Sequence, residues 1–63
     1  MSGKPKCKLI GEDGNIFSLV GKASKILVQN GMNQSAREME NRVFESNSYE
    51  EAIYIIGEYV EIE

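Results

Sequence analysis

Basic and aromatic side chains are the residues of this sequence whose chemistry best suits a ligand. Five of them stand on helices that the apolar pattern predicts below: Lys22, Lys25, Arg37, Arg42 and Tyr49. Lysine and arginine bind anions, and an exposed tyrosine can stack on a base. We therefore expect these residues to bind a small anionic ligand, such as a cyclic nucleotide, at a site drawn from several elements or several subunits.

General acid/base catalysis and metal binding lack the residues that they need. The sequence has no histidine, which removes the usual general base at neutral pH and the triads that depend on it. Glu12 and Asp13 are adjacent in a turn, where a solvated loop explains them better than a catalytic pair. Residues 11–14 lack the Lys-Ser/Thr of a phosphate-binding loop and offer too few oxygen ligands for calcium. We expect no enzymatic activity, no metal and no cofactor.

The length of the chain limits how it can be stabilised. Its 63 residues and 7.1 kDa allow one domain, and 41% hydrophobic with 27% charged residues is typical of a folded chain. A chain of this size buries only about 60% of its surface, so its core is thin. One cysteine and no histidine exclude an intramolecular disulfide and an ordinary zinc site. We therefore expect self-association, with a flexible N-terminal tail at 1–5 and a single domain at 6–63.

Charge is distributed unevenly along the chain. Residues 1–32 carry five Lys against two acidic residues, whereas residues 33–63 carry two Arg against eight Glu, within a net charge of −3. This asymmetry favours contact between opposite ends and argues against binding duplex DNA. No apolar stretch has the length of a signal peptide or membrane span, and Cys7 is expected to be a reduced, half-buried strand residue. We expect a cytoplasmic protein without a membrane partner.

The first helix is predicted at 16–30. Asn15 is a good N-cap, and Gly31 supplies a left-handed C-terminal residue, followed by Met32 for the usual hydrophobic contact. One broad apolar face recurs at three-and-four spacing: Ile16, Phe17, Leu19, Val20, Ala23, Ile26 and Leu27. We expect this face to pack into the core.

Two further helices follow. Asn33 is expected to cap the second, whose narrower apolar stripe is Ala36, Met39 and Val43, with Phe44 beside it. Ser48 and Glu51 form a capping box, so the third helix starts at Tyr49. Its expected apolar stripe is Tyr49, Ala52, Ile53 and Ile56, widened by Tyr54 and Ile55. At least one of the three tyrosines is expected to face solvent or an interface.

A short strand is predicted at each end of the domain. Residues 6–10 and 59–62 alternate polar and apolar residues, with Lys6 and Lys8 on one strand and Glu61 and Glu63 on the other. Because opposite charges favour pairing across strands, we predict an α+β fold of order β-α-α-α-β. The small sheet would be extended by homo-oligomerisation, with two copies joined across a twofold axis. The alternative is a hairpin of 6–10 with 15–20.

The sequence resembles a known group of proteins over residues 7–63. The resemblance rests on the run CKLIGEDGNIF at 7–17, on YEEA at 49–52 and on EYVEI at 58–62. On these motifs the chain is similar to a family of small, uncharacterised proteins of Firmicutes and their phages or mobile elements. The resemblance implies an accessory role, such as antagonism of a bacterial defence system, but it brings no functional residue to this chain.

Three functions are compatible with these features. The first is a non-enzymatic accessory protein that antagonises host defence by sequestering a cyclic nucleotide-like signal as a homo-oligomer. The second is a protein-protein inhibitor whose acidic C-terminal half covers a basic surface of a host defence protein or nuclease. The third is an intracellular structural or regulatory module outside any defence system.

Overall fold

The order of the elements confirms the predicted β-α-α-α-β arrangement. A computed structural model describes residues 3–9 and 14–63 of the chain. Its elements are β1 (Lys6–Cys7), α1 (Ile16–Gln29), α2 (Asn33–Phe44), α3 (Tyr49–Tyr59) and β2 (Glu61–Ile62). The alternative hairpin is wrong because residues 16–20 belong to α1, as the 3.6-residue period of their apolar positions indicates. Residues 10–13, which include the end of the predicted first strand and most of the predicted turn, lie outside the described residues.

Both ends of α1 follow local signals in the sequence. The Asn15 side chain caps the first turn by accepting a backbone N–H at 2.8 Å. At the other end Gly31 adopts a φ of 75°, and its N–H donates to the Val28 carbonyl at 3.0 Å. The Met32 N–H donates to the Leu27 carbonyl at 2.8 Å, which completes a Schellman motif. The predicted cap residues are confirmed, and the helix ends at residue 29.

The start of α2 differs from the prediction. Asn33 is the first helical residue, and Met32 occupies the N-cap position without a side-chain hydrogen bond. The reason is that the backbone of Met32 is already held by Leu27 in the preceding motif, so α2 begins directly after it. The Met32 carbonyl accepts the N–H of Ala36 at 3.0 Å and so starts the helical ladder. Asn33 is therefore not the cap.

The capping box of α3 forms with one change of partner. The Ser48 hydroxyl accepts the N–H of Glu51 at 3.1 Å, as predicted. The Glu51 carboxylate accepts from the N–H of Asn47 at 2.9 Å, one residue before the expected donor. Both bonds still fix the chain where α3 begins.

The core is formed by the inward faces of the three helices and by both terminal segments. Within the described residues, thirteen hydrophobic side chains are buried: Cys7, Leu9, Leu19, Val20, Ala23, Leu27, Ala36, Met39, Val43, Ala52, Ile55, Ile56 and Val60. Cys7 is fully buried rather than half-buried, because its side chain lies beneath the sheet against this cluster. Four residues predicted within or beside the apolar faces are instead exposed: Phe17, Phe44, Tyr49 and Tyr54.

The two strands pair in parallel. Lys6 faces Glu61 and Cys7 faces Ile62 across the pair. The register therefore places opposite charges on the outer face and apolar residues on the inner face. Parallel pairing needs a long crossover connection, which the three helices supply.

The strands are shorter than predicted, although the pairing extends beyond them. Tyr59 is the last residue of α3, and the Val60 N–H still donates to the Ile56 carbonyl at 3.0 Å, so β2 starts at Glu61. The Glu61 N–H donates to the Pro5 carbonyl at 2.8 Å, one residue before the predicted domain boundary at 6. The N-terminal segment is thus fixed to the C-terminal segment from Pro5 onward.

Helix length bears on membrane insertion. The longest helix of the described residues, α1, has 14 residues. No helix within this part of the chain is both long enough and apolar enough to cross a membrane.

Candidate functional site

An open apolar groove lies where the start of α1, the end of α2 and the start of α3 meet. Its volume is about 360 Å³. Apolar side chains from all three helices line it: Ile16, Phe17, Val20, Val43, Phe44 and Tyr49. Residues 46–48, which connect α2 to α3, form its remaining edge. We call this site the aromatic groove.

Three aromatic rings of the groove are open to solvent. Phe17 is 67% exposed, Phe44 is 62% exposed and Tyr49 is 50% exposed. The ring centroids of Phe17 and Phe44 lie 6.1 Å apart with the ring planes tilted by 40°, a normal geometry for an aromatic pair. Large exposed apolar side chains grouped at one place are typical of an interaction surface, whereas scattered ones are not.

Helical geometry explains why these rings point away from the core. Successive residues of an α-helix are rotated by about 100°. Phe17 precedes the buried Leu19 by two positions, and Phe44 follows the buried Val43 by one, so neither shares the inward direction of its helix. Tyr49 is the first residue of α3 and lies at the open edge of the core. The spacing of Phe17 and Phe44 relative to the buried stripe was the signal available in the sequence.

Three backbone donors of the α2–α3 connection, which borders the groove, are already bonded within the chain. The N–H groups of Glu45 and Ser46 donate to carbonyls of the last turn of α2 at 3.2 and 3.0 Å. The Asn47 N–H donates to the Glu51 carboxylate at 2.9 Å. At these three residues the groove therefore offers side-chain surface rather than main-chain donors.

Three exposed glutamates adjoin residues of the groove in the chain. Glu45 directly follows Phe44, and Glu50 and Glu51 directly follow Tyr49. The Glu51 carboxylate accepts the N–H of the groove residue Asn47, and Glu45 and Glu51 also line a neighbouring polar hollow between α2 and α3. None of the described residues that line the groove is charged. We call Glu45, Glu50 and Glu51 the acidic rim.

A polar network lies on the other side of the α2–α3 pair. The Arg42 guanidinium donates to both carboxylate oxygens of Glu58, at 2.7 and 3.2 Å, and to the Tyr59 hydroxyl at 3.1 Å. The Tyr59 hydroxyl donates in turn to Glu38 at 2.9 Å. The guanidinium carbon of Arg42 also lies 5.7 Å from the centroid of the Tyr59 ring. This network links α2 to α3.

The network shifts the pKa values of its two charged partners. Hydrogen bonds donated by Arg42 lower the pKa of Glu58 below its usual value, and the attraction of the guanidinium adds to this effect. The same bonds from Glu58 and Tyr59 raise the pKa of Arg42. Arg42 is therefore charged, and it donates three hydrogen bonds to groups of the same chain.

The predicted ligand-binding residues do not come together in one cavity. Arg42 borders a polar hollow between α2 and α3, while Arg37 borders a separate hollow at the start of α2. Tyr49 lines the aromatic groove, and Lys22 and Lys25 lie on α1 outside these cavities. None of the three cavities contains two of the five residues.

Acidic and cysteine side chains also fail to form a metal site in the part of the chain that is described. Within residues 3–9 and 14–63, no three such side chains are grouped as metal ligands.

Comparison with known proteins adds no relative. No protein-family model, curated protein or solved structure matches the chain. The resemblance to the Firmicutes and phage family stays a prediction. The site is therefore defined by its geometry alone.

Proposed function

We propose that this protein is a non-enzymatic protein-binding module that docks a basic, partly apolar segment of another protein in the aromatic groove. One observation carries the proposal: Phe17, Phe44 and Tyr49, from three different helices, expose their rings around a single groove of about 360 Å³. Aromatic side chains at the centre of a surface supply much of the binding energy of protein interfaces.

The charge around the groove supports a basic partner. The acidic rim belongs to the C-terminal half, in which eight Glu outnumber two Arg. One of those arginines, Arg42, is paired with Glu58. Complementary charge guides association and selects partners. Of the three functions considered from the sequence, this favours the inhibitor that covers a basic surface of a defence protein or nuclease.

A second copy of the chain is a poor occupant for the groove. A twofold contact places the same surface on both partners, so the acidic rim would meet itself. Like charges brought together in this way oppose association. The predicted self-association is better suited to the sheet, where β1 and β2 each leave one edge unpaired in the described part of the chain.

Sequestration of a cyclic nucleotide stays a prediction. Lys22 and Lys25 are neighbours on α1, whereas Arg37 lies on α2 and Arg42 donates to Glu58 and Tyr59. A nucleotide site would therefore need the lysines of α1 and Arg37 of α2 to converge, for example from different copies of the chain.

Selection from a random peptide display library tests the proposal. We expect the wild-type protein to enrich apolar peptides with a positive net charge, less strongly at high salt because exposed charges are screened. Phe44→Ser should reduce the retained peptide at least about tenfold, as loss of a central aromatic contact does.

Tyr54→Ser is the matched control. Tyr54 is 66% exposed, comparable to Phe44, but lines the polar hollow rather than the groove. It should retain the selected peptides, and circular dichroism should show that both variants are folded. Equal retention by folded Phe44→Ser, or no enrichment by the wild-type protein, contradicts the proposal.

A further inference from the structure

The described lining of the aromatic groove comes from helices and their connection. It is drawn from α1, α2, α3 and residues 46–48, and neither β1 nor β2 contributes a residue to it. Peptides that bind as an added strand need an exposed sheet edge, which supplies their main-chain hydrogen bonds. No such edge is present among the described residues that line the groove.

Part of the backbone beside the groove is also bonded within the chain. The N–H groups of Glu45, Ser46 and Asn47 are bonded within the chain, and the Ser48 carbonyl accepts the Ala52 N–H at 3.1 Å. Because the described lining has no strand edge, an extended segment buried here would find no ladder of partners for its own N–H and C=O groups, which is unfavourable. A helix satisfies its own backbone and needs only contacts to its side chains.

The spacing of the rings suits successive turns of a helix. The centroids of Phe17 and Phe44 are 6.1 Å apart. Residues at i and i+4 on a helix have Cβ atoms about 5–6 Å apart, so apolar residues on adjacent turns can each contact one ring. Tyr49 bounds the same groove from the start of α3.

The acidic rim adds a charge requirement to this shape. Glu45, Glu50 and Glu51 directly follow lining residues or their neighbours in the chain, and the Glu51 carboxylate is bonded to the N–H of Asn47 at the edge of the groove. The lining itself carries no charge among the described residues. We infer that the occupant of the aromatic groove is an amphipathic α-helix of another protein, with Lys or Arg flanking its apolar face. This inference rests on the proposed function and names the form and charge of the partner.

Three synthetic peptides of equal length test the inference. The first has Leu at i, i+3, i+4 and i+7 with Lys on its other face, and the second replaces each Lys by Glu. The third has the composition of the first in an order that abolishes the apolar face. Fluorescence anisotropy measures the affinity of each labelled peptide, and circular dichroism measures helix formation on binding.

The first peptide should bind at least about tenfold more tightly than the other two and gain helix when bound. Phe44→Ser should abolish this preference, and Tyr54→Ser should keep it. Glu45→Lys should shift the preference toward the acidic peptide, whereas Glu63→Lys, an exposed change at the C-terminus outside the groove lining, should not.

Other outcomes separate this inference from the proposed function. Equal binding of the basic and acidic peptides overturns the charge requirement, and equal binding of the reordered peptide overturns the helical face. If library peptides bind at Phe44 but none of the helical peptides does, the inference fails while the proposed function stands. Failure of every peptide overturns both. Dissociation of a homodimer by Phe44→Ser, seen by sedimentation, identifies a second copy as the occupant and overturns the inference.

Discussion

The two ends of α3 use the same residue type in different ways. At the N-terminal end, Tyr49 is half exposed and lines the aromatic groove. At the C-terminal end, Tyr59 packs against Arg42, accepts its hydrogen bond and donates one to Glu38. The second tyrosine is committed to holding α2 and α3 together, whereas the first presents its ring to solvent.

The two ends of α3 therefore differ in whether their side chains already have partners within the chain. Side chains near the C-terminal end of α3 find partners within the chain, and Val60 beyond it is buried beneath the sheet. The rings at the N-terminal end remain exposed although their apolar area favours burial. A partner that binds at the groove can therefore bury this apolar area. Substitutions at the C-terminal end of α3 should mainly affect stability, and substitutions at the N-terminal end should mainly affect binding.

The largest expected effect on stability comes from truncating the buried side of α3. Ile56→Ala should lower the free energy of unfolding by about 2–5 kcal/mol, because Ile56 is 0% exposed and its loss leaves a cavity. Tyr49→Ala should change it by no more than about 1 kcal/mol, since half of that side chain is already in water. Urea unfolding measures both values.

The milder Ile56→Val keeps this comparison measurable if the alanine variant does not fold. It should cost about 0.5–1.5 kcal/mol. A Tyr49→Ala variant that is destabilised as much as Ile56→Ala would show that the groove end is part of the core.

Loss of the cap at the groove end should have an intermediate effect. Ser48→Ala removes the acceptor for the Glu51 N–H and should lower the free energy of unfolding by about 0.5–2 kcal/mol. The Ser48→Ala variant should also bind the basic helical peptide more weakly, because the start of α3 positions Tyr49. Ser18→Ala, an exposed substitution within α1, serves as the control and should change stability by no more than about 0.5 kcal/mol. Equal stability of the two variants would exclude a role for the cap.

The smallest expected effect is the pH dependence of the polar network. Because the pKa of Glu58 is lower in the folded state than its usual value of 4.5, its contribution to stability is present above that value. The contribution is lost as the pH falls through the lowered pKa. The difference in melting temperature between the wild-type protein and Glu58→Gln should thus be largest at neutral pH and shrink below pH 4.5.

A double-mutant cycle attributes this pH dependence to the pair. Arg42→Gln should remove the same pH-dependent part of the melting temperature. Adding Glu58→Gln to this variant should change the melting temperature little more, because the two side chains act together. A melting-temperature difference that is constant across the acid range would show that the Arg42–Glu58 contact does not persist in solution.

Helix caps that depend on a few neighbouring residues were predicted correctly. Asn15, Gly31 and Ser48 each act on backbone groups within four residues, so their roles can be inferred without knowing the fold. Asn33 has the composition of a cap but does not act as one, because the contact of Met32 with Leu27 sets where α2 begins. Local rules fail where a neighbouring motif has already fixed the chain.

The candidate site was less accessible to prediction because its parts come from three helices. Phe17 and Phe44 are apolar and adjoin the buried stripes, so the pattern assigned them to or beside the core faces. Whether such a residue is covered depends on the packing of the other helices. The five ligand-binding residues were chosen by type, and the structure spreads them over separate surfaces.

The amino-acid sequence alone determined the order of the elements, the caps of α1 and α3 and the concentration of acidic residues in the second half, because these depend on local hydrogen bonds and on composition. Tertiary structure decided the parallel direction of the strands, the full burial of Cys7 and the use of Arg42 within the chain. It also decided that Phe17, Phe44 and Tyr49 share one open groove. These outcomes depend on contacts between residues far apart in the chain, and only the packing of the three helices and the sheet brings such residues together.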